Sequence, residues 1–126
     1  MNKGKYYITT AIAYATCTTA MDLGAAAIIT VTLSGFTAEA ISRYKPSCKI
    51  ISCTMDTKVS RQLNLLWGVS PLLMKQESDT EELFSDAVEE SKKAGLVKKG
   101  DIVVITAGVP LGIAGKTNMI RVVEVE

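Results

Sequence analysis

Two stretches of the chain place glycine among hydroxyl groups in a way that suits anion binding. The first is Thr32-Leu33-Ser34-Gly35-Phe36-Thr37, which follows an apolar β-branched run and leads into a predicted helix. Glycine permits a tight turn there, so hydroxyls and backbone amides meet at a helix N-terminus, where phosphate groups commonly bind. The same residues also fit an ordinary strand-to-helix turn with a hydroxyl cap, and both interpretations stand on the residues alone.

The second stretch runs from Gly108 to Asn118 and is rich in glycine. Its Gly115-Lys116-Thr117 matches the end of a P-loop motif, in which the lysine contacts a phosphate. The match fails because Pro110 stands where the motif needs its first glycine, and because a valine-rich strand follows instead of a helix. What remains is either a flexible loop whose amides close over a bound phosphate or an ordinary long hairpin connection.

Other kinds of chemistry find little support in the composition. The sequence contains no histidine, which removes the commonest general base and every Ser-His or Cys-His nucleophile. The three cysteines, Cys17, Cys48 and Cys53, form no C-x-x-C pair, so we expect buried, reduced thiols in a cytoplasmic protein and no metal site. Fourteen basic residues against 13 acidic ones make nucleic acid and membranes poor candidates as partners.

The elements that must position these stretches alternate between helix and strand over a single domain of 126 residues. The apolar N-terminal stretch is interpreted as a packed helix and not as a signal peptide, because it is threonine-rich and carries apolar residues at helical spacing. The predicted inner face of this helix comprises Ile8, Ile12, Ala15 and Leu23. No apolar run reaches the roughly 20 residues of a membrane span.

Strands are predicted for residues 26–32, 49–54, 69–73, 101–106 and 119–125, with helices after each of the first three. Pro71 lacks an amide donor, so its strand is placed at an edge of the sheet. Asp56 and Asp79 are predicted helix caps, and the last helix should bury Leu83, Ala87 and Ala94. The pattern predicts a three-layer α/β/α fold with a mostly parallel sheet.

Several motifs in register resemble the C-terminal domain of pyruvate kinase, most closely that of bacterial enzymes. They are Ala15-Thr16-Cys17, Ser34-Gly35-Phe36-Thr37-Ala38, Arg43-Tyr44-Lys45-Pro46, Trp67-Gly68-Val69, Lys99 to Pro110, and Thr117-Asn118-Met119 with Val122-Val123. The resemblance covers essentially all of residues 1–126. It implies a five-stranded sheet of order 3-2-1-4-5, in which the last strand is antiparallel.

The resemblance also implies a function. In the full enzyme this regulatory domain packs beside a catalytic barrel, which transfers phosphate from phosphoenolpyruvate to ADP with magnesium and potassium. The barrel has no counterpart in these 126 residues, so we expect no catalytic residue, no cofactor in this domain and no activity of the chain alone. Contacts across the tetramer of the family imply a homo-oligomer. A stand-alone phospholigand-binding protein of the same fold is the alternative. A phosphoacceptor signalling domain is discounted, because residues 30–35 contain no acidic residue.

Carried over residue by residue, the resemblance implies an effector site. Its phosphate-gripping turn matches Thr32, Ser34, Gly35, Phe36 and Thr37, and its covering loop matches Gly112, Ile113, Ala114, Gly115, Lys116 and Thr117. Enzymes that respond to fructose 1,6-bisphosphate hold the second phosphate with a tryptophan and an arginine, and residues 78–88 contain neither. A sugar monophosphate or nucleoside monophosphate is therefore the expected effector, and Trp67 is expected to be a packing residue.

Overall fold

The computed structural model describes residues 3–31, 35–75, 79–107 and 119–126. Helices and strands alternate along the chain. In order they are α1 (Lys3–Leu23), β1 (Ala27–Val31), α2 (Phe36–Arg43), β2 (Lys49–Thr54), α3 (Thr57–Leu63), β3 (Val69–Leu73), α4 (Thr80–Lys93), β4 (Ile102–Ala107) and β5 (Met119–Glu124). The predicted α/β class is therefore confirmed. No helix among the described residues is long and apolar enough to cross a membrane.

The five strands form one sheet in the order β3-β2-β1-β4-β5, as the resemblance implies. Strand β1 pairs in parallel with β2 on one side and β4 on the other, and β5 is antiparallel to β4. β3 pairs with β2 at the edge, so Pro71 leaves no gap in the interior of the sheet. Because β1 is central, the segment that follows it emerges in the middle of the carboxyl edge.

Both faces of the sheet are buried, because successive side chains of a strand point to opposite sides. On one face Ile29, Ile51 and Ile105 pack with Phe84 of α4. On the other face, Ile28, Ile50 and Val104 form a second cluster with buried residues of α1 and α2. All six of these strand residues are 0% exposed, so the two hydrophobic clusters hold the sheet between layers of helices as predicted.

The predicted inner face of α1 is wrong at Ile8 and Leu23, whereas Ile12 and Ala15 are half-buried. Ile8 and Leu23 are about half exposed, whereas Ala13, Cys17 and Ala20 are buried against the sheet and α2. Small side chains let a helix approach its neighbours closely, and hydroxyls can face inward when they are satisfied within the helix. Thr16 shows this, because its buried Oγ1 donates to the carbonyl of Ile12 at 2.7 Å. Ile8 and Leu23 are left on the outer surface.

At the end of α4 the expected burial of Ala94 is also wrong, since this residue is exposed. The helix ends at Lys93, with Ala94 as its C-cap and Gly95 at φ 75°, the left-handed conformation expected after a helix. Ser91 is buried one turn earlier, and its Oγ donates to the carbonyl of Ala87 at 2.7 Å.

The cysteines are partly as expected. Cys17 and Cys53 are buried and Cys48 is half-buried, and all three are free thiols. Burial raises the pKa of Cys53 to about 12 and that of Cys17 to about 11. Thiols with such pKa values are poorly ionised at neutral pH and react slowly.

Candidate functional site

The start of α2 lies at the carboxyl edge of the central strand. β1 ends at Val31, and α2 begins at Phe36 after its N-cap Gly35. Gly35 has a φ of 81°, in the left-handed region that side chains other than glycine rarely adopt. First-turn amides of a helix point out of its N-terminus and give that end a partial positive charge. The fold therefore directs the α2 amides toward the edge of the sheet where ligands bind in open α/β folds.

A second constraint requires glycine at this position. Gly35 is buried, and a Cβ atom there would lie 3.2 Å from Leu63 Cδ2 and 3.6 Å from Val59 Cγ1. Both contacts come from α3, and Leu63 is 2% exposed. The start of α2 is thus packed directly against α3. A cleft of about 100 Å³ remains between the two helices, lined by Gly35, Glu39, Val59, Gln62, Leu63 and Leu66.

The other two capped helix starts differ from that of α2. The Asp56 carboxylate accepts from the amides of Lys58 at 2.8 Å and Val59 at 3.4 Å, and it therefore caps α3 as predicted. The Asp79 carboxylate accepts from the amide of Glu81 at 3.0 Å at the start of α4. At α2 the cap is a glycine, which has no side chain to accept from these amides. The start of α2 is thus the one, of these three, where the cap brings no negative charge.

An acidic side chain does lie in the first turn of α2, but it is paired. Glu39 Oε1 accepts from Arg43 Nη2 at 2.8 Å, one turn further along the helix. Both side chains are about half exposed, so the pair contributes little to stability. Its local effect is to place a cation beside the carboxylate, which reduces the repulsion that Glu39 would exert on an anion at the helix start.

The structure brings three of the five predicted phosphate-gripping residues together, namely Gly35, Phe36 and Thr37. Phe36 is partly exposed, whereas the side chain of Thr37 is buried. Thr32 and Ser34 lie outside the described residues, and so does the covering loop from Gly112 to Thr117. The predicted roles of these residues remain predictions.

The described ends of the covering loop lie at the same edge of the sheet as α2. Ala107, the last residue of β4, pairs with Val31 of β1 on one side and with Met119 of β5 on the other. The Oγ1 of Thr106 donates to the Met119 carbonyl at 3.0 Å, which fastens the start of β5. The end of β4 is therefore one strand away from the end of β1, and the start of β5 is two strands away.

Sequence reasoning missed two contributions to this region. The first is α3, whose Val59 and Leu63 lie within 4 Å of the position that a Cβ atom would take at Gly35. The second is a buried hydroxyl pair below the turn, in which Thr30 Oγ1 donates to Ser52 Oγ at 2.8 Å. The available signal for the pair was a hydroxyl residue within the apolar part of each strand, Thr30 after Ile28-Ile29 and Ser52 after Ile50-Ile51.

A larger groove lies away from the start of α2, between α4 and β5. It measures about 270 Å³, and its lining includes Phe84 and Arg121 together with the four glutamates Glu81, Glu89, Glu124 and Glu126. Both guanidinium Nη atoms of Arg121 donate to the Glu81 carboxylate at 2.7 Å, and the guanidinium carbon lies 4.9 Å from the centre of the Phe84 ring. The hydrogen bonds from Arg121 lower the pKa of Glu81. Four carboxylates against one paired arginine make this groove unsuited to a phosphate.

A metal site does not fit the described part of the chain. Within residues 3–31, 35–75, 79–107 and 119–126, no group of three or more histidine, cysteine, aspartate or glutamate side chains is placed to hold a metal ion.

Comparison with known proteins agrees with the geometry. The family model described as "Pyruvate kinase, alpha/beta domain" matches residues 10–123. The chain belongs to this family. The pyruvate kinase of Clostridium acetobutylicum is 46% identical over 115 residues, which is 91% of this chain and 24% of that enzyme. That of Lactobacillus delbrueckii subsp. bulgaricus is 44% identical over 114 residues, and that of Geobacillus stearothermophilus is 44% identical over 115.

These comparisons confirm the resemblance to the pyruvate kinase C-terminal domain of bacterial enzymes. The chain spans a quarter or less of the relatives' length, since it covers 24%, 19% and 20% of the three enzymes. The matched region includes all nine helices and strands except the first turns of α1 and the end of β5. The start of α2 therefore lies within the part of the chain that matches the pyruvate kinase α/β domain.

Proposed function

We propose that this chain is the regulatory part of a cytoplasmic pyruvate kinase and that the start of α2 holds the phosphate of its allosteric effector. The complete enzyme would transfer phosphate from phosphoenolpyruvate to ADP in glycolysis, in a catalytic barrel domain that uses magnesium and potassium. This chain would bind the effector and contribute to subunit assembly without carrying out the chemistry. The proposed role in glycolysis rests on the relatives of the chain, which are pyruvate kinases.

One observation carries the proposal, namely that α2 begins on a buried glycine with a φ of 81° at the carboxyl edge of the central strand. A helix start of this kind combines amide donors with the positive end of the helix dipole. Its glycine cap brings no competing carboxylate, in contrast to the aspartates that cap α3 and α4. In the proposal, the hydroxyls of Thr32 and Ser34 add further donors, and residues 112–117 close over the ligand.

The proposed ligand is a sugar monophosphate or nucleoside monophosphate. A single helix N-terminus suits one dianionic phosphate, and each charge-assisted hydrogen bond to it is worth about 1.5–3 kcal/mol. The groove beside Arg121 offers no second anion site, because its glutamates outnumber its one arginine, which Glu81 already pairs. A ligand with one phosphate therefore fits the charges of the described residues better than a bisphosphate.

Calorimetric titration tests this proposal. We expect AMP or ribose 5-phosphate to bind the folded chain more tightly than fructose 1,6-bisphosphate does. Ser34→Ala should weaken the binding of the monophosphate by about ten- to a hundredfold, because one charge-assisted bond is lost. Ser60→Ala, on α3, is the matched control and should bind like the parent. Equal affinities for parent and Ser34→Ala, or no binding of any phosphate compound by the folded parent, would contradict the proposal.

A separate assay tests the expectation that the chain is not catalytic. Phosphoryl transfer requires metal ions and cationic clamps on the transferred phosphate. We expect no formation of pyruvate from phosphoenolpyruvate and ADP in the presence of magnesium and potassium. Turnover that co-purifies with the chain, and that survives removal of host enzyme, would contradict the expectation.

The proposed role in assembly rests on the outer surface of α1. Tyr14 and Met21 lie seven residues apart on one side of this helix and are 60% and 61% exposed, and Tyr44 adds an aromatic ring beside Tyr14. The centroids of the Tyr14 and Tyr44 rings are 5.6 Å apart, in an edge-on arrangement. Apolar patches of this kind commonly mark protein interfaces. We propose that the patch contacts another copy of the chain.

Light scattering at high protein concentration tests this role. We expect dimers or larger species for the parent and a shift to monomer for Tyr14→Asp, because a carboxylate would be buried in the interface. Leu65→Asp is the control, since Leu65 is 87% exposed and lies just beyond α3. A parent that is strictly monomeric, or a Leu65→Asp variant that dissociates while Tyr14→Asp does not, would contradict the assignment.

A further inference from the structure

Helix α2 is held at both ends by the same neighbouring unit of the fold. At its start, the buried Gly35 packs against Leu63 of α3. A Cβ atom added at Gly35 would lie 3.2 Å from Leu63 Cδ2. At its end, Ser42 Oγ donates to the carbonyl of Trp67 at 2.7 Å, and Ser42 is 6% exposed. Leu63 ends α3, and Trp67 lies in the turn that leads from α3 to β3.

This neighbouring unit is itself anchored to the sheet. The amide of Ile50, a fully buried residue of β2, donates to the carbonyl of Gly68 at 3.1 Å. The amide of Val69 donates to the carbonyl of Leu66 at 3.4 Å, which closes the turn that carries Trp67. The turn is therefore fixed to β2 immediately next to the carbonyl that receives the Ser42 hydroxyl.

The position of the α2 amides thus depends on contacts that lie outside the turn itself. A helix of eight residues moves largely as one body, so its start follows its end. Ser42 lies about 10 Å along the axis from Gly35, at 1.5 Å per residue, which is too far to touch a phosphate at the helix start. Its hydroxyl can still affect the position of the first-turn amides, because it anchors the other end of the helix.

We propose that Ser42 and Leu63 are positioning residues for the phosphate site at the start of α2. This inference rests on the proposed function, and it names which residues outside the turn fix the binding geometry. Leu63 fixes the start of the helix by packing, and Ser42 fixes its end by the hydrogen bond to Trp67. Small displacements of an oriented donor reduce binding strongly, so loss of either contact should weaken phosphate binding without removing any donor.

The chain offers matched controls for both residues. Ser91 of α4 is a buried serine whose Oγ also donates to a backbone carbonyl at 2.7 Å, that of Ala87. Leu83 of α4 is 2% exposed, as is Leu63. Each control removes the same chemical group from a buried place, but in α4, which packs on the opposite face of the sheet from α2.

The experiment compares Ser42→Ala with Ser91→Ala and Leu63→Val with Leu83→Val, using AMP as the probe. We expect the AMP dissociation constant to rise about tenfold in Ser42→Ala and Leu63→Val and less than about twofold in the two controls. Trp67 is the single tryptophan of the chain, so its fluorescence reports on this contact. AMP should change the emission in the parent and in Ser91→Ala, and the change should be lost in Ser42→Ala.

A measurement without ligand makes the outcome independent of the proposed function. The Glu39 amide donates to the Gly35 carbonyl at 3.0 Å in the first turn of α2. Its hydrogen exchange should be about tenfold faster in Ser42→Ala than in Ser91→Ala, since the turn is less firmly held. Equal exchange rates in the two variants would overturn the positioning role. If the two variants differ in this way but the parent binds no phosphate compound, the proposed function alone would be overturned. Equal AMP affinities in Ser42→Ala and Ser91→Ala would overturn the inference alone.

Discussion

The starts of α2 and α3 differ in whether the cap residue supplies a negative charge to the first-turn amides. At α3 the Asp56 carboxylate accepts from two first-turn amides, so the protein supplies its own negative charge. At α2 a buried glycine with positive φ takes the cap position and supplies none. α4 resembles α3 in this respect, because Asp79 caps it and Glu81 and Glu82 add carboxylates to its first turn. The cap residue thus supplies a carboxylate at α3 and α4 and supplies none at α2, and the proposed phosphate site rests on this difference.

The largest effect is expected when α2 is given an acid at its start, as α3 and α4 have. Phe36→Glu places a carboxylate at the first residue of α2, on a partly exposed side chain. We expect monophosphate binding to fall by at least about a hundredfold, because like charges repel at close range while an acid at a helix start is otherwise tolerated. Calorimetry on the folded variant measures the effect.

Thr57→Glu is the matched control, because Thr57 is the exposed first residue of α3. Its acid lies at the start of a helix that Asp56 already caps. We expect binding to be unchanged in this variant. If Phe36→Glu kept the affinity of the parent, or if Thr57→Glu lost it, the phosphate would not lie at the start of α2.

A methyl group added at the same place should affect the stability of the chain through the backbone and the packing of the helix start. Gly35→Ala should destabilise the chain by about 2–4 kcal/mol, from the left-handed backbone and from overpacking against Leu63. Gly95→Ala should cost only about 1–2 kcal/mol, since Gly95 also has positive φ but its Cβ would meet no atom within 4 Å. Urea unfolding of both variants gives the comparison. Equal losses would show that the contact with α3 contributes nothing to the requirement for glycine.

Removal of the acid caps should have a modest effect on stability. Asp56→Ala leaves two α3 amides without their acceptor and should cost about 1 kcal/mol, which is typical of a lost helix cap. We expect phosphate affinity at α2 to remain that of the parent. Unfolding free energies and a calorimetric titration check both parts. A loss of affinity larger than the loss of stability would mean that α3 and its cap contribute to the binding site directly.

The smallest expected effect concerns Glu81 in the first turn of α4. The two hydrogen bonds from Arg121 lower the pKa of this carboxyl, so the pair stabilises the folded chain at neutral pH. That contribution should be present above the pKa of a free glutamate and should disappear as the pH falls through the lowered pKa. Carbon-detected NMR should show the Glu81 titration moving to higher pH in Arg121→Gln. An unchanged titration would show that the pair is not formed in solution.

The alternation of helix and strand was predictable because β1, β2, β4 and β5 are rich in β-branched residues and glycine, proline or an acid stands beside each strand. β2 occupies the predicted residues 49–54, and β3 lies at the edge as Pro71 requires. The buried face of α1 was not predictable from its large apolar residues. Its inner residues are small or carry hydroxyls, and their burial depends on how closely α2 and the sheet approach.

The site was predictable only in part. A glycine between a strand and a helix marks the turn, but its contact with Leu63 joins positions far apart in sequence and follows from the packing of α2 on α3. Trp67 illustrates the same limit. It was expected to be a packing residue, whereas its side chain is 52% exposed and its backbone carbonyl makes the contact that matters to α2. Hydrogen bonds to backbone carbonyls leave no mark on the sequence of the acceptor.

The most direct test of the central claim is an NMR titration of the isotopically labelled chain with AMP. We expect the amide signals of Gly35, Phe36 and Thr37 to shift most, because the phosphate would accept hydrogen bonds from this helix start. The first-turn amides of α3 and α4, which Asp56 and Asp79 already occupy, should hardly move. Saturating shifts centred on α3, on α4 or on the groove beside Arg121, with the α2 signals unchanged, would contradict the account.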